Sequence, residues 1–383
     1  MENNSKIFLK LATSVLIGIA FSSLTARAEL GGSIELDGGY QSNIFRRPSA
    51  LDTGTGIFDP SEGDGMMGGN AQLQFLQPFN EAHRIKLGSK MGGNFFPAHS
   101  SSSESELEGS AEYRFRPGPS FNLRLLGSGA VKRQLTVDET VDEAAALYQY
   151  MESVGGAKAV YSPSKIFSCE GSYAFTQLDY KEPLLGQSLD NQQNEITVGL
   201  AWRTGPGLQN SLRLNGAYLL KAYRALLSYD ANGTQAPNYP ARTYHYFTVE
   251  LEFKSKRDAW LWKFSERPRF RKDAYAGFYD YIENRLSAGI DINAMDKWSF
   301  SPDVAWRFRF YPTHEALRPG PNPNLMMNYI DAGLKIKRSL GKNFSLSASY
   351  DLALRLTNTG YDYLRSYRDY ADHTVLLGAE LEW

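Results

Sequence analysis

Long stretches of the chain alternate between apolar and polar residues. From Trp298, one set of alternate positions is Trp298, Phe300, Pro302, Val304, Trp306, Phe308 and Phe310, and the other is Ser299, Ser301, Asp303, Ala305, Arg307 and Arg309. Side chains on a strand point alternately to opposite faces, so a period of two predicts a strand with one apolar and one polar face. Residues 344–357 repeat the pattern, and 106–115, 196–202 and 285–294 match it more weakly. The segments 146–161 and 260–272 are ragged, and a bulge near Glu266 would explain the second.

The final residues form the clearest amphipathic strand. Their apolar positions are Val375, Leu377, Ala379, Leu381 and Trp383, and they alternate with mostly polar residues. Outer-membrane β-barrel proteins end on such a strand with a terminal aromatic, and this end resembles the signal read by the barrel-assembly machinery. We therefore expect Val375, Leu377, Leu381 and Trp383 to form an assembly signal. The alternative is a soluble β-sandwich that ends in Trp.

Turn residues recur with a rhythm of short and long connections. Candidate short turns lie at 78–83, 116–120, 162–165, 204–209, 255–258, 295–297 and 340–343, and polar, glycine-rich segments lie at 47–65, 98–104, 136–146, 181–191, 228–241, 273–282, 312–324 and 358–371. Short periplasmic turns and long extracellular loops are typical of outer-membrane barrels. Seven turns and eight loops predict 16 strands.

The length of the strands and the placement of aromatic residues favour a membrane barrel over a sandwich. The alternating segments exceed the usual five or six residues of a soluble strand. Aromatic residues collect at strand ends, where they suit the girdles at the two membrane interfaces; examples are Trp202, Trp260, Trp298, Tyr311, Phe344 and Trp383. The fold class we predict is all-β: a transmembrane antiparallel up-and-down β-barrel of about 16 strands.

The N-terminus resembles a secretory signal. Lys6 and Lys10 precede a mostly apolar run, and Ala26-Arg27-Ala28 provides a cleavage site. We therefore predict that 1–28 is a removed signal peptide and that 29–383 is a single barrel domain in the outer membrane of a Gram-negative bacterium. No apolar run is long enough for a helical span. The nearly balanced charge gives no support for nucleic-acid binding.

If the apolar face of each strand points outward, many charged side chains point into the interior of the barrel. The early strands contribute a mixed set, whereas the later strands contribute eleven cations: Lys254, Lys263, Arg267, Arg269, Arg271, Arg285, Arg307, Arg309, Lys335, Lys337 and Arg355. Six carboxylates accompany them: Glu250, Glu252, Asp291, Asp303, Asp331 and Asp351. An excess of cations on a channel wall favours anions. The alternative is an internal network of ion pairs that leaves no net field.

One short motif carries a family resemblance. The segment 38–46 reads Gly-Gly-Tyr-Gln-Ser-Asn-Ile-Phe-Arg and resembles the Tyr-Asp-Ser/Asp-Asn-Val-x-Arg opening of the beta-barrel porin type 2 group of Gram-negative bacteria. This chain departs from that pattern at Gln41, where an acidic residue is common. The resemblance implies an outer-membrane barrel of porin-like architecture, and since some members accompany exopolysaccharide secretion, a polymer exit is one implied role.

The sequence gives little support for a catalytic site. Asp372 and His373 are adjacent strand residues that point to opposite faces, so they cannot pair without a bulge. The single cysteine, Cys169, alternates with Phe167, Gly171 and Tyr173 and reads as a small apolar residue on the outward side. No Cys/His cluster has zinc spacing. We expect no enzyme, no metal and no cofactor.

Two functions remain open. The first is a porin-like conduit for solutes or saccharide, with a partly basic lumen that favours anions. The second is a plugged barrel that acts as a scaffold, for example for exopolysaccharide machinery, and its lumen would be filled by a loop such as Arg47–Gly65 or Ser228–Ala241. The expected partners are outer-membrane lipid, the barrel-assembly machinery and an anionic solute or polysaccharide.

Overall fold

The computed structural model describes residues 28–42, 63–136, 146–181, 188–294, 297–316, 321, 323–359 and 369–383. The predicted signal peptide lies outside these residues except for Ala28, and so does the second half of the porin-like motif. Within the described part, no helix is long and apolar enough to cross a membrane.

Sixteen antiparallel strands form one closed sheet, in which each strand pairs with its neighbours in the chain. The strands are β1 (Glu29–Gln41), β2 (Asp64–Pro78), β3 (His83–Phe95), β4 (Glu104–Gly118), β5 (Phe121–Thr136), β6 (Ala146–Tyr161), β7 (Phe167–Tyr180), β8 (Asn191–Thr204), β9 (Asn210–Leu227), β10 (Ala241–Arg257), β11 (Trp260–Asp273), β12 (Tyr281–Ala294), β13 (Trp298–Glu315), β14 (Asn324–Ser339), β15 (Phe344–Thr357) and β16 (Tyr370–Glu382). The predicted up-and-down barrel of about 16 strands is confirmed. The predicted short turns coincide with junctions of consecutive strands, although 116–120 and 255–258 overlap the ends of β4 and β10, and 295–297 lies mostly outside the described residues.

The barrel is closed by the first and last strands. The β1–β16 ladder runs from Ser33 opposite Glu382 to Gln41 opposite Thr374. Beyond it, Trp383 and Gly32 exchange two backbone hydrogen bonds of 3.0 Å. Closure leaves no unpaired sheet edge, which is the condition for placing a β-sheet in lipid.

The two faces of the sheet have opposite character. Large apolar residues on the outward face stay exposed, for example Leu36 at 63%, Val198 at 61% and Leu377 at 66%. The inward face carries nearly all of the charged side chains, and its residues at the long-loop end include tyrosines with no exposure, such as Tyr244. An exposed apolar band around a polar interior is the arrangement that a lipid environment requires.

The two ragged segments form continuous strands, β6 and β11. The β11–β12 pairing keeps one register from Trp260 opposite Ile292 to Arg271 opposite Tyr281. A bulge near Glu266 is therefore absent, and Glu266 lies on the outward face. There its Oε1 accepts a hydrogen bond of 3.1 Å from Asn284 Nδ2.

One aromatic residue assigned to the outer girdles lies elsewhere. Tyr311 is fully buried and packs with Tyr281 and His314 on the inward side. The girdle prediction is wrong for Tyr311 because Phe308 and Phe310 face outward, so strict alternation turns the next residue inward. The aromatic ends of other strands do face outward, for example Trp260, at 43% exposure.

Candidate functional site: the lumenal wall

The register places all eleven predicted basic residues on the inward face, although they differ in accessibility. Arg271, Arg309 and Arg355 are buried, at 1–3% exposure, whereas the other eight are partly or fully exposed. Subtracting the three from eleven leaves eight accessible cations against the six predicted carboxylates. The excess of accessible cations over carboxylates is therefore smaller than the sequence indicates. The positions of these charges along the wall decide the local electric field.

The accessible lysines are paired with carboxylates. Lys254 Nζ lies 2.7 Å from Glu252 Oε1, and Lys263 Nζ lies 2.5 Å from Asp291 Oδ2. Lys337 Nζ lies 2.7 Å from Glu380 Oε2 on the strand two places away. The alternative of an ion-pair network thus describes this part of the wall, where the charges largely cancel.

Arginines concentrate on three adjacent strands. Arg267 on β11 stands directly opposite Arg285 on β12, which in turn stands opposite Arg307 on β13. We call these three residues the arginine row. Residues directly opposite on antiparallel strands have Cβ atoms about 4.5–5.5 Å apart, and like charges there are destabilising. The guanidinium of Arg307 also covers the ring of Tyr329, 3.9 Å from its centroid.

Above the row, towards the long loops, a buried ion pair interrupts the positive charge. Arg309 donates from Nε (2.9 Å) and Nη2 (2.6 Å) to Glu283 Oε2, and both side chains are almost fully buried. Arg269 stands opposite Glu283 on the other side. Glu283 is therefore flanked by two arginines, and its single negative charge offsets one of them, whereas the arginine row below contains no carboxylate.

Carboxylates concentrate farther round the wall. Asp303, Asp331 and Asp351 are exposed to the interior, and with the buried Asp372 they line a cavity of about 270 Å³. Gly333 permits their approach, because a Cβ there would lie 2.9 Å from Asp303 Oδ1 and 3.1 Å from Asp351 Oδ1. The wall is thus divided into a positive region on β11–β13 and a negative region on β13–β16.

The long-loop end of the interior is packed with tyrosine rings around arginines. The Arg271 guanidinium lies 4.7 Å from the Tyr244 ring centroid and 4.3 Å from that of Tyr281. Its Nε donates to the Tyr279 carbonyl at 2.7 Å. Arg242, fully buried, covers the rings of Tyr229 and Tyr279. Arginine over aromatic faces is stabilising, and more so when water is excluded.

Two long loops complete this tyrosine–arginine cluster. The 228–240 loop contributes Tyr229, which packs against Phe278 and Tyr279 of the 274–280 loop. The 274–280 loop is also held by Thr313, whose Oγ1 donates 2.7 Å to the Gly277 carbonyl. The predicted loop Ser228–Ala241 therefore covers inward-facing residues of β10–β13, whereas most of Arg47–Gly65 lies outside the described residues.

Sequence patterns missed the tyrosine–arginine cluster, Arg242 and Glu283. The available signal was positional: Tyr244 and Tyr246 on β10, Tyr281 on β12 and Tyr329 on β14 all occupy inward positions near the long loops. Alternation indicates the face of each residue. It does not indicate that rings from these three strands belong to one cluster.

The remaining predicted site residues lie on the outer surface. Val375, Leu377, Leu381 and Trp383 all face outward at 46–66% exposure, and their role as an assembly signal stays a prediction. His373 also faces outward, with Nδ1 2.8 Å from the Tyr350 hydroxyl, while Asp372 faces inward and accepts 2.7 Å from Gln41 Nε2. No metal-binding group of His, Cys, Asp and Glu occurs among the described residues.

The comparisons with known proteins support the fold. No protein-family model matches the chain, and no curated protein matches it either. Among solved structures, an outer-membrane protein OmpT of Vibrio cholerae, folded in vitro, has 12% identity and a TM-score of 0.50 over 94% of this chain and 99% of that one. The anion-selective porin of Comamonas acidovorans (11% identity, TM-score 0.47, 93% and 99%) and Pseudomonas aeruginosa OccK3 (10%, 0.49, 93% and 96%) are also similar. At 12% identity the likeness to the Vibrio cholerae protein supports the barrel fold alone, and the resemblance to the type 2 group stays a prediction.

Proposed function

We propose that the protein is an outer-membrane barrel that acts as a porin-like conduit and favours anions. One observation carries the proposal: charged side chains inside the closed sheet remain accessible. The side chains of Lys254 and Lys263 are 41% and 43% exposed, although both face the interior. A 16-strand barrel is wide enough for an aqueous channel unless something fills it. Accessible charged side chains indicate that the interior around Lys254 and Lys263 holds water.

The outer surface supports placement in a membrane. The apolar band that includes Leu36, Val198 and Leu377 would aggregate in water but suits lipid. Trp260 and Trp298, near the short turns, suit one membrane interface. This location is part of the proposal, as is export by the predicted signal peptide.

The expected anion preference comes from the arginine row. On β11–β13 three arginines stand side by side, whereas the lysines elsewhere are balanced by carboxylates. A net positive region in a narrow, low-dielectric surrounding raises the local concentration of anions. The solute class that fits is therefore anionic, and an acidic saccharide is one member of it.

Reversal potential in a planar bilayer with a salt gradient tests the proposal. The folded wild-type barrel should give a steady conductance with an anion-selective reversal. Replacing Lys254 and Lys263 with Ser leaves Glu252 and Asp291 without their cations, so the reversal should move towards cations. Lys272→Ser is the matched control, because Lys272 lies at the outer rim, pairs with Asp280 and is 68% exposed. A cation-selective wild type, or equal shifts in both variants, would contradict the proposal.

The tyrosine–arginine cluster favours a second candidate, a plugged barrel that acts as a scaffold or as an exporter that must open. Two loops cover the inward face of β10–β13 and narrow the interior there. A verified folded barrel that carries no current would favour this candidate. Deleting residues 231–238 should then produce a conductance that the full chain lacks.

A further inference from the structure

The arginine row places like charges directly side by side. Arg267, Arg285 and Arg307 form two successive pairs of directly opposed cations, an arrangement that disfavours folding. Neighbouring strands offer many positions at which a carboxylate could have separated them, as Glu283 separates Arg269 from Arg309 at the next inward position. A cluster of like charges at one location is typical of a site whose partner is a ligand.

The described residues leave two of the three arginines without a counterion. No ion pair joins Arg267 or Arg285 to a carboxylate in this part of the chain, and Arg267 Nε is buried without a hydrogen-bond partner. The nearby carboxylate of Glu283 is occupied by Arg309. Glu250 accepts from Asn215 Nδ2 at 3.3 Å. Both carboxylates attract Arg267 across a longer distance, and neither forms an ion pair with it among the described residues.

Small side chains leave space directly below the row. On the short-turn side, Ser265, Ser287 and Ala305 stand opposite one another on the same three strands. The hydroxyls of Ser265 and Ser287 lie 2.6 Å apart and share a hydrogen bond, so the O–H of the accepting serine remains to donate to a ligand. Larger groups bound the other side, where Arg269, Glu283 and Arg309 form the next row. The result is a recess with guanidinium donors on one side and one hydroxyl donor on another.

We propose that this recess is an anion-binding site for an oxyanion group of charge −2 or more, carried by a transported solute. Planar guanidinium forks match the oxygen geometry of carboxylate and phosphate groups. Three cations on adjacent strands favour a multivalent group over chloride, and the serine pair provides one further O–H donor. The proposal deepens the conduit function and rests on it for access of the solute. The electric field of the whole wall sets the preference for anions over cations, whereas these three arginines would bind the oxyanion group directly.

Titration calorimetry of the folded barrel with inorganic phosphate, at constant ionic strength set by chloride, tests the site. Wild-type protein should show saturable binding, and Arg285→Gln should weaken it by about tenfold or more, as expected for the loss of a charged hydrogen-bonding group. Lys272→Gln is the matched control, because Lys272 lies at the outer rim and not on the wall of the interior, and it should bind like the wild type. Arg285→Gln should also be at least as resistant to urea as the wild type, since like-charge repulsion is relieved.

The outcomes separate the site from the conduit. Conductance without saturable phosphate binding, or equal losses in Arg285→Gln and Lys272→Gln, would overturn the site and leave the conduit standing. Phosphate binding that depends on Arg285, in a barrel without conductance, would leave the site and overturn the conduit. If Arg285→Gln does not fold, Arg267→Gln takes its place in the test, with the same expected loss of phosphate binding.

Discussion

The buried pair of Arg309 and Glu283 should be the most costly ion pair in the barrel to break. The two side chains are 1% and 0% exposed, and two hydrogen bonds join them. Removing one partner of a buried pair typically costs about 3–5 kcal/mol, because the remaining charge is left without compensation. Arg309→Met should cost about 3 kcal/mol, the lower end of that range, because Arg269 also faces Glu283. Glu283→Met should cost at least as much, since it removes the carboxylate that accepts both of these hydrogen bonds from the buried Arg309.

A double-mutant cycle measures the coupling. Urea unfolding in lipid vesicles gives the free energy of unfolding of Arg309→Met, Glu283→Met and the double variant. The free energy of unfolding of the double variant should lie near that of the wild type, because replacing both partners of a buried pair with apolar residues is often neutral. Lys254 with Glu252 is the control, since these side chains are 41% and 29% exposed. An accessible pair should couple by about 1 kcal/mol or less. Equal coupling in the two cycles would refute the assignment of Arg309 and Glu283 to a water-excluded region.

Two further predictions concern the outer surface. A Cβ at Gly32 would lie 2.6 Å from Trp383 Cζ2 and 2.7 Å from the Gln72 carbonyl oxygen, so Gly32→Val should lower the free energy of unfolding by about 1–3 kcal/mol. Gly127→Val is the control, because a Cβ there has nothing within 4 Å, and it should leave the free energy of unfolding unchanged. Equal effects of the two substitutions would refute the close contact at Gly32. Replacing Glu266 and Asn284 together with Leu should stabilise the barrel in vesicles by about 1 kcal/mol, because a charged group is removed from a lipid-facing position, and a loss of stability would show that this face does not meet lipid.

The architecture could be predicted because it depends on local pattern. Alternation from Trp298 and from Phe344 assigns each residue to a face, and the spacing of turns counts the strands. Lipid on one side and water on the other impose a period of two along every strand. For this reason the outward position of Leu377 and the inward position of Arg307 follow from the sequence alone. Tyr311 was assigned wrongly where a general rule about aromatic ends took precedence over the pattern.

Only the tertiary structure decided which inward residues meet. Arg267, Arg285 and Arg307 are separated by 18 and 22 positions in the chain, and their alignment depends on the register of β11, β12 and β13, where a shift of one residue would turn every side chain to the other face. The sequence likewise determined that Arg309 faces inward, but not that Glu283 and the loops 228–240 and 274–280 remove that region from water. A strand's pattern reports its own two faces, whereas burial and pairing depend on neighbours that only closure of the barrel brings together.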